Sequence, residues 1–201
     1  METLFLKTDN YCIYKADNDS TFDLIDFVVK TNYGRYKNIS DFTCIQDEID
    51  LLYTEELLLT KLSTIYIARD NNNIIIGAIR VLKWDKQQKL PIHKLFNINP
   101  LNRLPVENDT SFWHIGRFAI NSCSGINTVN LFKQLMLCAI DPIIKCNDSY
   151  MIAETDVKLL KVMAAMGIKT WKLGDSINYL ASETVPIYSN NKGLETFYNK
   201  Y

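Results

Sequence analysis

The pattern of apolar and polar positions predicts a regular succession of strands and helices along the first part of the chain. The segment YCIYKA (11–16) is rich in aromatic and branched residues and predicts a strand. The next segment, STFDLIDFVVKTNY (20–33), has a Ser or Thr cap, an early Asp and apolar residues at helical spacing, which predict an amphipathic helix. Residues 34–64 indicate a loop and a short helix, in which an acidic DEID precedes an apolar run.

The middle of the chain predicts a β-hairpin followed by a long excursion and a third strand. Residues 63–84 hold two apolar runs separated by DNNN, whose residues tolerate the left-handed backbone of a tight turn. Residues 85–110 hold three of the five prolines and predict an extended excursion over the surface. The segment FWHIGRFAI (112–120) then has the composition of a central strand.

Two strand-to-helix units follow. After the polar turn NSCSGINT, residues 129–144 place apolar side chains on one helical face until Pro142 ends the regularity. The strand YMIAETD (150–156) enters a helix that Gly167 closes, and KTWKL, INYLA and VPIYS predict short final strands. This order predicts a single α+β domain over residues 1–201, with a mixed sheet and helices on its faces.

Charge and composition exclude several classes of protein. The 22 basic and 23 acidic residues nearly cancel, so no basic field attracts nucleic acid. No window approaches the roughly 20 apolar residues of a membrane span, and the N-terminus lacks a signal-peptide pattern, so we expect a cytoplasmic protein. The five cysteines are scattered along the sequence, which favours reduced thiols over a disulfide frame. With only two histidines, the sequence does not predict a metal centre.

The element order, the hairpin IYIARDNNNIIIGAIRVL and the later MAAMGI together resemble the GNAT superfamily of N-acyltransferases over most of the chain. The more specific resemblance is to its acyl-homoserine-lactone (autoinducer) synthases and long-chain N-acyl amino acid synthases. Those families show an acidic E-x-D before the hairpin, an Arg closing the second hairpin strand, a W-E-x-S-R-F strand and a late T-x-P element. The matching residues here are Glu48, Asp50, Arg80, Trp113, Arg117, Phe118, Thr184 and Pro186.

This resemblance implies a GNAT-like fold and an enzyme that transfers a fatty acyl group to the amine of a small amino-acid-like acceptor. It implies substrate-binding roles for the first six of those residues. It also implies that the acyl donor of this enzyme is acyl-coenzyme A or the phosphopantetheine of acyl carrier protein. The donor is used as a co-substrate, and no cofactor is permanently bound. The family's Glu and Ser are replaced by His114 and Gly116. The alternative is a non-catalytic GNAT-like module that binds a lipid or a partner protein.

The departure at His114 supplies a candidate general base. An amine attacks a thioester only as the free base, and imidazole titrates in the right range to take its proton. Strand alternation places His114 and Arg117 on opposite faces unless a bulge intervenes. The competing interpretation of His114 is a core histidine bound to a backbone carbonyl. Glu154 is a second candidate base, or otherwise a cap or surface group at a strand end.

Arg117 requires an anionic partner inside a central strand, and Glu48 or Asp50 are the predicted carboxylates. Such a network either shapes the acceptor pocket or is a structural ion pair that fixes the 34–64 segment to the sheet. Arg80 has the same two interpretations. Gly116 either leaves room for substrate or marks a bulge.

The donor site is the least defined prediction. Backbone amides of Ser124, Gly125 and Ile126 are the candidate phosphate-binding groups, in a loop with one glycine and no basic residue. A group of lysines is either a docking face for an acidic acyl carrier protein or ordinary solvated surface. These lysines are Lys158, Lys161, Lys169 and Lys172.

Overall fold

The computed structural model describes residues 2–16, 18–34, 42–179 and 182–201. The strands are β1 (Thr3–Lys7), β2 (Tyr11–Ala16), β3 (Ser63–Asp70), β4 (Ile75–Trp84), β5 (Ser111–Ile120), β6 (Ser149–Asp156), β7 (Trp171–Lys172), β8 (Ile177–Tyr179) and β9 (Ser182–Asn190). The helices are α1 (Thr21–Gly34), α2 (Phe42–Leu57), α3 (Pro91–Phe96), α4 (Thr128–Ile144), α5 (Val157–Met166) and α6 (Asn191–Lys200). The strands follow the order β1-β2-β3-β4-β5-β6-β9-β7, and β8 pairs with β9. Because β5 and β6 are parallel while β2–β3, β3–β4 and β6–β9 are antiparallel, the sheet is mixed and the predicted α+β class is confirmed.

The chain divides into two compact units, of which the first comprises residues 1–82 and 117–138. Its strands β1 to β4 form an antiparallel meander, and α1 packs its apolar stripe against them. An adjacent face of α1 contacts α2 through Ile25 and Val29. Gly77 on β4 lies directly under Leu131 and Leu135 of α4, so a Cβ at that position would require these leucine side chains to shift.

The second unit comprises residues 83–116 and 139–201. A row of aromatic side chains crosses its strands with ring centroids between 5.4 and 6.1 Å apart. The row consists of Trp84, Phe112, Tyr150, Tyr188 and Trp171. The excursion predicted to be extended instead contains helix α3, which begins at Pro91. Leu90, Ile92 and Ile98 of this segment are buried, because removing apolar surface from water is favourable.

Other elements also differ from the sequence prediction. Strand β1 and helix α6 are additional, and α2 is a helix of 16 residues rather than a short one. Helix α4 passes through Pro142 and ends at Ile144, because a proline in the last turn removes only one main-chain hydrogen bond. Gly167 closes α5 with φ of 96°, as predicted. Among the described residues no helix is long and apolar enough to cross a membrane.

The first turn of α6 predicts a large effect of one methyl group. A Cβ on Gly193 would overlap Ser189 Oγ and lie 2.7 Å from the carbonyl oxygen of Lys169. Because a backbone atom cannot move aside cheaply, Gly193→Ala is expected to lower the free energy of unfolding by about 1–3 kcal/mol. Urea titration followed by circular dichroism measures the change. Gly34→Ala is the control, since no atom of a described residue lies within 4 Å of its Cβ position, and an equal loss in both variants would contradict the packing argument.

Candidate active site

His114 and Glu154 form a buried pair in the second unit. The parallel ladder between β5 and β6 runs from Ser111↔Ser149 to His114↔Ile152, and Glu154 lies two residues beyond Ile152 on the same face of β6. Nε2 of His114 is 2.9 Å from Oε2 of Glu154, and the two side chains are 1% and 9% exposed. His114 therefore contacts a carboxylate, which orients the imidazole ring.

Glu154 also influences the other histidine of the chain, which sequence reasoning did not assign. Nδ1 of His93 accepts a hydrogen bond from the Leu90 N–H at 3.1 Å. Burial lowers the pKa of His93, while hydrogen bonds with Leu90 and Asn99 and the negative charge of Glu154 act in the opposite direction. Both imidazoles of the protein therefore feel the same carboxylate. In the described part of the chain, no cluster of three or more His, Cys, Asp or Glu side chains can hold a metal ion.

Two arginines converge on one carboxylate in the first unit. Nε of Arg80 lies 2.6 Å from Oε1 of Glu56, and Nε of Arg117 donates to Oε2 of Glu56 at 2.8 Å. Glu56 and Arg80 are 0% and 1% exposed, and Arg117 is 12% exposed. The carboxylate that Arg117 contacts is thus Glu56, and the prediction that it would be Glu48 or Asp50 was wrong.

The periodicity of α2 explains the correction. Ile49, Leu52 and Glu56 follow helical spacing and are all buried, so Glu56 lies on the apolar stripe of the helix. Asp50 is exposed and accepts a hydrogen bond from Gln46 at 2.9 Å, while Glu48 accepts one from the Tyr33 hydroxyl. A carboxylate on the apolar face of an amphipathic helix is the signal that identifies Glu56 from sequence.

Arg117 has an unusual backbone conformation. Its φ is 53°, in the left-handed region that non-glycine residues rarely occupy. The regular alternation of β5 is therefore interrupted three residues after His114. Strain of this kind is retained where surrounding contacts hold it, and the ion pair with Glu56 is such a contact.

The other two aromatic candidates on β5 have different surroundings. Phe118 packs edge-to-face on Phe132 of α4, with ring centroids 5.6 Å apart, which is a packing contact. Trp113 is half-buried, and Nζ of Lys83 lies 5.6 Å from the centroid of its ring. Its Nε1 is shielded from solvent and has no hydrogen-bond partner among the described residues.

The loop before α4 contains the candidate phosphate-binding amides. Gly125 has φ of 73°, and the Ser124 N–H points to the Asn121 carbonyl oxygen at 3.4 Å. The side chain of Asn127 accepts hydrogen bonds from the N–H groups of Val129 and Asn130, both at 3.1 Å. Asn127 therefore already caps part of the α4 N-terminus, which reduces the number of amides available to an anion there.

The four lysines predicted to meet a carrier protein are all exposed. Lys158 and Lys161 lie on α5, where Val162 is 41% exposed, and Lys172 lies on β7 beside Trp171, which is 43% exposed. Positive charge and exposed apolar side chains therefore occur together on α5 and again on β7.

No protein-family model and no curated protein sequence matches this chain. Solved structures do. FeeM, an N-acyl amino acid synthase from uncultured soil microbes, is 12% identical with a TM-score of 0.64, over 90% of this chain and 91% of FeeM. The AHL synthase LasI is 16% identical with a TM-score of 0.53, over 68% of this chain and 70% of LasI.

A GNAT-family acetyltransferase from Staphylococcus aureus is 16% identical with a TM-score of 0.55, over 90% of this chain and 99% of that protein. These likenesses concern the arrangement of the backbone, because the sequence identities are low. Together with the mixed sheet and its flanking helices, they show that this chain has the GNAT-like fold that the sequence resemblance implies.

Proposed function

We propose that this protein is an N-acyltransferase that moves a fatty acyl group from acyl carrier protein or acyl-coenzyme A to the amine of a small amino-acid-like acceptor. The observation that carries the proposal is the buried His114–Glu154 pair in a GNAT-like fold. His114 is the last residue of β5 that pairs with β6. A buried imidazole held by a carboxylate is the arrangement that general-base catalysis uses.

In the proposed reaction the acceptor nitrogen attacks the carbonyl carbon of the thioester. A C–N bond forms, the C–S bond breaks, and the carrier thiolate leaves and takes up a proton from solvent. The proton lost by the amine passes to the His114–Glu154 pair and then to water. Because both side chains are buried, the negative charge of Glu154 acts on the imidazolium with little screening.

Arg80 and Arg117 stay proposed substrate-binding residues, and both contact Glu56. Arg117 is the most exposed of the three side chains, so its guanidinium is the one proposed to contact the substrate. Glu48, Asp50 and Phe118 stay predicted substrate-binding residues, of which Glu48 is fixed to α1 by the Tyr33 hydroxyl.

On the donor side, the amides of Gly125 and Ile126 and the hydroxyl of Ser124 are the proposed phosphate contacts. Ser124 Oγ is shielded from solvent and has no partner among the described side chains and backbone groups, which supports a polar ligand at this loop. The exposed lysines on α5 and β7 are proposed to receive an acidic carrier protein.

The test is incubation of the purified protein with fatty acyl donors on coenzyme A and on acyl carrier protein, each with a panel of amino acids. We expect a new N-acyl product by mass spectrometry with at least one pair. Binding of a donor with no product from any acceptor would instead support the non-catalytic binding module. Binding that His114→Ala leaves unchanged would strengthen that outcome.

A further inference from the structure

Trp113 has a buried hydrogen-bond donor that no described residue accepts. Its Nε1–H is shielded from water and lacks an acceptor among the described residues. Leaving such a group unpaired in the interior destabilises a fold, so a buried donor without an acceptor calls for an explanation. The contrast with Trp84 is direct, because its Nε1 donates to the carbonyl oxygen of Gln88 at 2.7 Å.

The position of Trp113 on β5 relates it to the chemistry. It is the neighbour of His114, and strand alternation directs the two side chains to opposite faces. If the amine acceptor occupies the His114 face, the acyl donor is left with the Trp113 face, and the two can meet only beyond His114↔Ile152, where the ladder between β5 and β6 ends. Attack requires the amine nitrogen and the thioester carbon to lie about 3–3.5 Å apart, so the thioester must lie close to β5 at this point.

The charge around Trp113 suits an anionic donor. Nζ of Lys83 lies 5.6 Å from the centroid of the indole ring, and Lys83 is exposed. Its positive charge favours electron-rich oxygen near the ring and attracts a phosphate-bearing thioester.

We propose that the indole N–H of Trp113 donates a hydrogen bond to the thioester carbonyl oxygen of the acyl donor. This inference rests on the proposed N-acyltransferase function. As the C–N bond forms, the oxygen gains negative charge, and the hydrogen bond strengthens without transfer of the indole proton. When the C–S bond breaks, the carbonyl re-forms. Trp113 is then a catalytic residue that stabilises the oxyanion.

The first test is a pair of matched substitutions, Trp113→Phe and Trp84→Phe. Both remove an indole N–H and shrink the ring, but only Trp84 loses a hydrogen bond within the protein. Trp113→Phe is therefore expected to lower the urea midpoint less than Trp84→Phe. An equal or larger loss for Trp113→Phe would show that its N–H is satisfied by the fold, and would overturn the proposal.

The second test uses decanoyl-coenzyme A and its thioether analogue S-decyl-coenzyme A, which lacks the carbonyl oxygen. By calorimetry, the wild-type protein is expected to bind the thioester more tightly than the thioether, and Trp113→Phe is expected to abolish that difference. Trp84→Phe should keep it. An unchanged preference in Trp113→Phe, or no preference in the wild-type protein, would overturn the proposal.

If the wild-type protein turns over, the kinetic expectation is also specific. Removing one oxyanion donor lowers kcat by roughly 100-fold or more, with KM little changed. A kcat within threefold of wild type in Trp113→Phe would overturn the assignment while leaving the acyl transfer itself intact. Absence of turnover in the wild-type protein would instead count against the proposed function, and the binding comparison would still decide the role of Trp113.

Discussion

Replacing Glu56 with glutamine is expected to lower the free energy of unfolding by about 3–5 kcal/mol, the largest stability effect anticipated for a single side chain. Glu56 is fully buried, and its two carboxylate oxygens lie 2.6 Å from Nε of Arg80 and 2.8 Å from Nε of Arg117. The substitution keeps the volume of the side chain but removes the negative charge between two guanidinium groups. The buried positive charges then repel each other in a medium of low polarity, which is the costly outcome.

Urea-induced unfolding followed by circular dichroism measures this loss. Asp50→Asn is the control, because it removes a carboxylate from the same helix at an exposed position and should change stability by less than about 0.5 kcal/mol. Adding Arg80→Met to Glu56→Gln should recover part of the loss, since one of the two guanidinium groups that repel each other is removed. A loss below about 1 kcal/mol in Glu56→Gln would contradict the buried-charge account.

Replacing His114 with alanine is expected to reduce kcat by about 10²–10⁴-fold, with a smaller change in KM. The imidazole is the proposed acceptor of the amine proton, and its Nε2 is held by Glu154 at 2.9 Å. Glu154→Gln keeps the shape of the side chain but removes its negative charge, so it should lower kcat as well. Because the two groups act as a unit, the double variant should be little slower than His114→Ala alone.

Steady-state kinetics over a range of pH values measure these effects. The control is Tyr198→Phe, which removes a 2.7 Å hydrogen bond to Asp141 in the same unit and should leave kcat unchanged. If His114→Ala kept a kcat within fivefold of wild type, the pair would be a structural contact. Additive losses in the double variant would likewise show that the two side chains act separately.

Much of the fold can be predicted from the sequence, because turns and helix starts are set by the types of a few neighbouring residues. The DNNN turn appears as Asn73 with φ of 64°, and α1 begins at Thr21 behind the polar cap region. Strand β1 gave no such signal, because its side chains are largely exposed and its stability comes from pairing with β2. Helix α6 was missed because its anchor is tertiary: Asn191 donates to the carbonyl oxygens of Ile144 and Cys146.

The candidate site was only partly predictable, because its contacts join residues that are far apart in the sequence. His114 and Arg117 stand out because imidazole and guanidinium groups are rare in central strands. Their partners are 40 and 61 residues away along the chain, so the sequence offers several carboxylates for each. Glu56 was overlooked because the acidic DEID segment is more conspicuous than a single carboxylate on an apolar stripe. The Trp113 N–H, which lacks an acceptor among the residues that the structure describes, has no sequence signal at all, because pairing of a donor depends on the whole fold.

The central claim is amine-dependent transfer of an acyl group, and release of the carrier thiol measures it most directly. The protein is mixed with decanoyl-coenzyme A or decanoyl-acyl carrier protein, and free thiol is followed by a colorimetric reagent before and after addition of amino acids. We expect slow release with the donor alone, faster release with the correct acceptor, and one thiol per molecule of N-acyl product. Tight donor binding with no acceptor-dependent thiol release for any amine would contradict the account.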